Sequence, residues 1–229
     1  MNRTMVYRWW MSAVWGGLFA GAVEVRRLPE GALQPFVITD ETAVVHMVWL
    51  QGKPEVCDVW YQKLPGGRTN ASVPLRINHV AGDAIAIGTI RGAQMAVGRN
   101  GRIHVVWNGS STSSEKDVRG VPLLYSRMND AGTAFEPEIN FLGKTAFLDG
   151  GASVAADPMG TVHVVWHAAP GPEKSSESDR SVFISTSTND GVSFTAGRSV
   201  VGMPSPSACV WRPSPPESMN WPGSNVNST

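Results

Sequence analysis

Histidine is the residue whose type and spacing first suggest chemistry in this sequence. His46, His104 and His163 stand in the similar segments VVHMVW, RIHVVW and TVHVVW, 58 and 59 residues apart. An imidazole can transfer protons near neutral pH or bind a metal ion. Catalytic groups rarely occur in triplicate at equivalent positions, however, and a period of this length is typical of a repeated structural unit. We therefore expect these histidines to be structural, each hydrogen-bonded to a neighbouring strand or loop.

The remaining histidines and the cysteines do not form a metal-binding pattern. His163 and His167 are four residues apart, which puts both on one side of a strand, but the other potential ligands are scattered along the chain. Cys57 and Cys209 are the only cysteines, and two cysteines so far apart do not define a disulfide framework. We predict no metal site and no cofactor.

The charge balance argues against nucleic acid or an anionic membrane surface as a partner. Nineteen basic and nineteen acidic residues cancel, so no bulk electrostatic field attracts a polyanion. Nine tryptophans, 24 glycines and many valines favour β-structure with many turns. No long helical period follows residue 30, and the sequence therefore predicts an all-β chain.

Four strand-like segments make up each repeated unit that must position these side chains. In the second unit, an apolar segment precedes the Asn100-Gly101 turn, and the segment 102–107 that follows has two largely apolar faces. Two further strands complete the unit. The sequence therefore predicts a partial, about three-bladed β-propeller of four-stranded antiparallel blades, with tryptophan and valine side chains between the blades. We expect a degenerate first blade at 30–87, a second at 88–147 and a third at 148–200.

The two ends of the sequence differ from the repeats. Residues 1–22 combine Arg3 and Arg8 with an apolar run and small residues at 20–22, a pattern typical of a secretory signal peptide; an uncleaved anchor is the alternative. Export to the periplasm or the exterior is expected, with no stable membrane span after cleavage. Residues 201–229 are rich in proline, serine and asparagine, which predicts a disordered or aberrant tail.

Two turns, NDAGTAF (129–135) and NDGVSF (189–194), stand at the same place in their units. With the residues before them they resemble the Asp-box, or bacterial neuraminidase (BNR) repeat, whose pattern is Ser-x-Asp-x-Gly-x-Thr-Trp with Phe tolerated at the end. The matching residues are Asp130, Gly132 and Phe135 in the first turn, and Ser187, Gly191, Ser193 and Phe194 in the second, where Asn189 takes the Asp position.

The residue types of this motif have a structural purpose. A short carboxylate or amide can accept hydrogen bonds from the backbone amides of its own turn, and glycine allows the positive φ of the reversal. The closing aromatic ring packs onto the blade. The resemblance also implies that these turns lie away from the substrate mouth, so Asp130 and Asn189 are expected to be structural rather than catalytic.

The resemblance implies an exported, sialidase-like repeat protein with six blades. Because a fourth blade should follow residue 200, we expect a truncation or frameshift there. Sialidase chemistry implies three arginines that hold a carboxylate, an Asp acid/base and a Tyr nucleophile helped by Glu. This sequence has no Arg-Ile-Pro near the first blade, and Tyr61 and Tyr125 lie in third strands. We therefore expect a non-catalytic glycan- or protein-binding module or a truncated remnant; the alternative is an exo-α-sialidase-type glycoside hydrolase.

A ligand at the channel mouth would meet residues that lead into the innermost strands. By position these are Arg91, Asp149 and, in the preceding loop, Asp83. Each is either a contact to a polar ligand or a solvated loop charge. Half a propeller also leaves two apolar blade faces open, and we expect self-association through them.

Overall fold

The computed structural model describes residue 25 and residues 27–66, 71–87, 92–110, 120–143, 145–173 and 176–200. The predicted signal peptide at 1–22 and the predicted tail at 201–229 lie outside the described residues, and so does Arg91.

Three four-stranded antiparallel sheets contain the strands of this chain, and each follows the chain order from strand to strand. The first contains β1 (Ala32–Thr39), β2 (Val45–Lys53), β3 (Val56–Leu64) and β4 (Leu75–Arg76). The second contains β5 (Gln94–Val97), β6 (Ile103–Asn108), β7 (Leu123–Arg127) and β8 (Ile139–Asn140). The third contains β9 (Ala146–Ala156), β10 (Val162–Ala169), β11 (Ser181–Ser187) and β12 (Arg198–Ser199).

The all-β, partial propeller predicted from the repeat is confirmed, and the three sheets are its blades. The repeated histidine and tryptophan segment is the second strand of each blade. β5, the first strand of the second blade, contacts both β1 and β9, so the three first strands are neighbours. The helical content of the described residues is limited to two short 3₁₀ turns, at Arg99–Gly101 and Glu177–Asp179. No helix in these residues is long and apolar enough to cross a membrane.

Short turns join the first and second strands of each blade. In the second blade, Asn100 and Gly101 have φ values of 56° and 72°, the left-handed conformation that this residue pair favours. In the first blade, Asp40 Oδ1 accepts backbone hydrogen bonds from Thr42 and Val44, both at 2.9 Å. Asp157 closes the corresponding turn of the third blade in the same way. These turns fix where each second strand begins.

Each blade has a tryptophan side and a histidine side. On β6, where all six residues are buried, Val105 and Trp107 belong to the same apolar cluster as Val48 of the first blade. Val106, on the other side of β6, packs in a second cluster with Trp166 of the third blade. The tryptophan side of a blade therefore faces the preceding blade, and the histidine side faces the following one. We call each such contact between neighbouring blades a seam.

Candidate functional site

The repeated histidines are hydrogen-bonded within their own blades. His46 Nδ1 lies 2.7 Å from the Tyr61 hydroxyl, and His104 Nδ1 lies 2.7 Å from the Tyr125 hydroxyl. In the third blade, His163 Nδ1 lies 2.9 Å from the hydroxyl of a threonine, Thr186. These contacts agree with the structural role that the repeat predicts. The sequence did not reveal Tyr61 and Tyr125 as partners, because each lies diagonally opposite its histidine on the adjacent strand.

Burial controls the ionisation of these pairs. It lowers the pKa of His104 to about 4 and raises the pKa of Tyr125. The pKa of Tyr61 is also raised, first by burial and then by the nearby Asp40 carboxylate. A hydrogen bond from His46 holds the pKa of Asp40 well below its usual range. Tyr61 and Tyr125 are 3% and 1% exposed, so these two phenols are neither ionised near neutral pH nor open to a substrate.

The second Asp-box-like turn is closed by its own side chains. Asn189 Oδ1 accepts a hydrogen bond from the backbone amide of Ser193 at 3.0 Å. Ser187 Oγ accepts one from the amide of Gly191 at 2.9 Å and donates one to Asn189 Oδ1 at 2.8 Å. Gly191 has a φ of 79°, so its position favours glycine. The turn thus forms by the local chemistry expected of the motif.

In the first turn, the accepting residue is one position earlier than the motif suggests. Asn129 Oδ1 accepts hydrogen bonds from the amides of Thr133 at 3.0 Å and Ala134 at 3.4 Å. The Asp130 side chain is instead 89% exposed and forms an ion pair with Arg102. The expectation that Asp130 accepts from its own turn is therefore wrong. The motif pattern places the accepting residue by counting back from Gly132 and Phe135. The first turn, however, has one residue more between its accepting asparagine and its closing phenylalanine than the second turn has.

Both turns attach their blade to the preceding one. Phe135 stands edge-on to Tyr61 with ring centroids 5.6 Å apart, and Phe194 stands edge-on to Tyr125 at 5.0 Å. Arg102 joins the two turns, because its Nε donates to Asp190 Oδ2 at 2.6 Å while its Nη2 is paired with Asp130. The closing rings therefore stabilise the seams, a role that a motif read within one unit does not reveal.

A polar cluster lies at the opposite end of the blades from these turns. Asp149 pairs with His167 across β9 and β10, and its Oδ2 lies 3.2 Å from His167 Nδ1 and 3.3 Å from Arg180 Nη1. The three side chains are 46%, 28% and 18% exposed, respectively. A groove of about 300 Å³ runs beside Asp149 and His167. This cluster is the candidate site, with groups that can donate to and accept from a polar ligand.

The sequence placed Asp149 in a loop before its strand, and this position is wrong. β9 begins at Ala146, and Asp149 lies within it. Gly150 and Gly151, with φ values of 72° and 114°, stand at a shift in the strand register. A pair of glycines suggests the end of a strand, but here it accommodates a bulge that leaves Asp149 facing His167.

The other predicted ligand residues are not part of this cluster. Asp83 is 2% exposed, and its backbone carbonyl accepts a hydrogen bond from Trp107 Nε1 at 2.9 Å. Arg91 lies outside the described residues. Sequence reasoning missed Arg180, which stands one residue before β11 after a polar loop, and it considered His167 only as a metal ligand. No cluster of three acidic, histidine or cysteine ligands occurs in the part of the chain that the structure describes.

Comparisons with known proteins identify the fold but no family. No family model matches the chain, and no curated protein matches it. A solved structure named "Hadza microbial sialidase" aligns with a TM-score of 0.50 at 12% identity, over 72% of this chain and 36% of that one. An ulvan lyase of polysaccharide lyase family 25 aligns with a TM-score of 0.47 at 14% identity, over 73% and 43%. The chain thus spans about a third of the sialidase, with which it shares a propeller-type architecture.

Proposed function

We propose that this chain is a sialidase-like, Asp-box repeat module that binds a glycan and does not hydrolyse it. The cluster of Asp149, His167 and Arg180 beside its groove is the observation that carries the proposal. The propeller-type fold shared with a sialidase supports a carbohydrate ligand, and the side-chain hydrogen bonds that close the second turn support the Asp-box assignment.

The cluster suits a polyhydroxylated ligand. The Asp149 carboxylate accepts hydrogen bonds, the Arg180 guanidinium donates several in a fixed plane, and His167 can do either. The ion pair and the hydrogen bond to Asp149 hold the three groups together before any ligand arrives. A preorganised site loses less conformational entropy on binding, and this lower cost strengthens the otherwise weak binding of a sugar.

The buried tyrosines and the single carboxylate of the cluster argue against the hydrolase alternative. Tyr61 and Tyr125 are buried and hydrogen-bonded to histidines, so neither hydroxyl is exposed to a substrate as a nucleophile must be. The cluster contributes one carboxylate, whereas most glycosidases place two across the scissile bond. A fluorogenic sialoside incubated with the purified chain is expected to remain intact, and its hydrolysis would establish the exo-α-sialidase alternative.

Binding to sialyllactose, lactose and a set of neutral oligosaccharides, measured by calorimetry, tests the main proposal. Arg180→Gln should weaken the binding of the best ligand about tenfold, the usual effect of losing a charge-assisted hydrogen bond. Arg198→Gln is the matched control, because Arg198 is an exposed arginine of the same blade on β12. Absence of binding to every sugar, or equal binding by both variants, would contradict the proposal.

The proposed location is extracytoplasmic, supported by the signal-like pattern of residues 1–22. Expression of the full sequence, followed by N-terminal sequencing of the exported product, should give a new N-terminus near residue 23. A product that stays in the cell with its original N-terminus would contradict export.

A further inference from the structure

The groove beside Asp149 lies on the histidine side of the third blade. His167, which lines it, stands four residues after the repeated histidine, as Leu50 and Asn108 do in the first and second blades. Leu50 and Asn108 face the following blade and are 1% and 3% exposed. The His167 side chain, in contrast, is 28% exposed. The groove therefore opens at a position that is closed in the other two blades.

The residues that line this groove keep two hydrogen-bond acceptors for a ligand. The contacts of Asp149 to His167 and to Arg180 both go to its Oδ2, so Oδ1 has no partner among the described residues. A carboxylate only accepts hydrogen bonds, so a neutral His167 donates to it through Nδ1 and keeps Nε2 as an acceptor. A ligand must therefore bring hydrogens to this end of the groove, and sugar hydroxyls do so.

The positive charge of the cluster is already balanced by the protein itself. Asp149 carries the one full charge among the described residues that line the groove, and Arg180 Nη1 neutralises it from beside the groove at 3.3 Å. A ligand carboxylate brings negative charge and only acceptors towards the two acceptors of Asp149 and His167. To pair with Arg180, it would have to displace Asp149 and leave that carboxylate without its cation.

We propose that this groove selects neutral saccharides over saccharides that carry a carboxylate, and that Asp149 sets this preference. The inference rests on the glycan-binding function proposed above and names the class of its ligand. A site built to accept hydrogen bonds from a hydroxyl rejects an analogue that lacks the hydrogen. Val165 and Val182, which also line the groove and are partly exposed, suit the apolar C–H face of a sugar ring.

Three pairs of sugars, in each of which one member carries a carboxylate, test the preference: glucose and glucuronate, galactose and galacturonate, lactose and sialyllactose. The ¹⁵N-labelled full chain is titrated with each sugar at constant ionic strength and at about pH 8, where imidazole groups are neutral. Binding should shift the amide signals of Gly150, Gly151 and Ser153, which line the groove. In every pair that binds, we expect the acid to bind about tenfold more weakly than its neutral partner.

Asp149→Asn tests the residue that sets the preference. The amide keeps the shape of the carboxylate but leaves the Arg180 guanidinium without its counter-charge, so an acidic sugar can pair with it. We expect the acids to bind about tenfold more tightly to this variant than to the unaltered chain. Asp130→Asn is the matched control, because it removes an exposed carboxylate at the opposite end of the blades and should change neither affinity.

The possible results separate this inference from the glycan-binding proposal. An acid that binds the unaltered chain as well as its neutral partner, or acid binding that Asp149→Asn leaves unchanged, overturns the inference while glycan binding stands. If none of the sugars binds, the glycan-binding proposal fails and the inference fails with it. Should Asp149→Asn not fold, the comparison within each pair on the unaltered chain decides alone.

Discussion

Gly191→Ala tests the contact between the second turn and the preceding blade. Gly191 has a φ of 79°, and a non-glycine residue in this left-handed region costs about 1 kcal/mol. Its new Cβ would also overlap the Tyr125 hydroxyl and lie 3.2 Å from His104 Nδ1. Forcing a methyl group into such a packed place costs about 1–3 kcal/mol, and a displaced hydroxyl loses its hydrogen bond to His104, about 1 kcal/mol more. The substitution should therefore lower the free energy of unfolding by about 3–5 kcal/mol.

Gly132→Ala separates the backbone cost from the packing cost. Gly132 has a φ of 66°, but a Cβ built there meets no atom within 4 Å. Its substitution should cost only the backbone contribution of about 1 kcal/mol. Urea unfolding of both variants, followed by tryptophan fluorescence, measures the difference.

A third variant keeps the test decisive if Gly191→Ala fails to fold. Tyr125→Phe removes the atom that the new Cβ would overlap, so Gly191→Ala should cost less in this background than in the unaltered chain. Equal destabilisation by the two glycine substitutions would refute the close approach of the turn to Tyr125.

Three further outcomes are expected. Phe194→Ala should lower the free energy of unfolding by about 2–4 kcal/mol in urea, because its ring packs edge-on against Tyr125 and Phe141. Burial lowers the pKa of His104 from 6.5 to about 4, so the unfolded chain binds more protons than the folded chain between these pH values. The free energy of unfolding should therefore fall by about 3 kcal/mol from pH 6.5 to pH 4, and His104→Gln should lack this component of the pH dependence. Cys57 is buried, and burial raises the pKa of its thiol; with Cys209→Ser, the native chain should react with a thiol reagent far more slowly than the urea-unfolded chain.

The strands of this chain could be predicted because their information is local. The period of the histidine and tryptophan segments, and the Asn100-Gly101 turn, specify a hairpin and a sheet with two buried faces. β6 is buried at every residue, which agrees with a blade packed on both sides.

The contacts that join blades could not be predicted, because they link residues about 60 to 90 positions apart. Arg102 and Asp190 are 88 residues apart, and no single-unit pattern connects them. The role of Asn129 was missed because the motif pattern sets the accepting residue two positions before the glycine, and Asn129 stands one position earlier than that. Asp149 meets Arg180 beside a bulge at Gly150 and Gly151 that shifts the register of β9, and the glycine pair in the sequence does not indicate this bulge.

The two unlike sides of each blade have a consequence for assembly. Trp107 faces the preceding blade and His104 faces the following one, so the two sides of a junction are different. Copies that met through these sides would join in a heterologous, head-to-tail manner, and a closed complex would have cyclic symmetry. Pairing of two like sides would bring tryptophan against tryptophan or histidine against histidine, a junction for which neither seam of this chain offers a precedent.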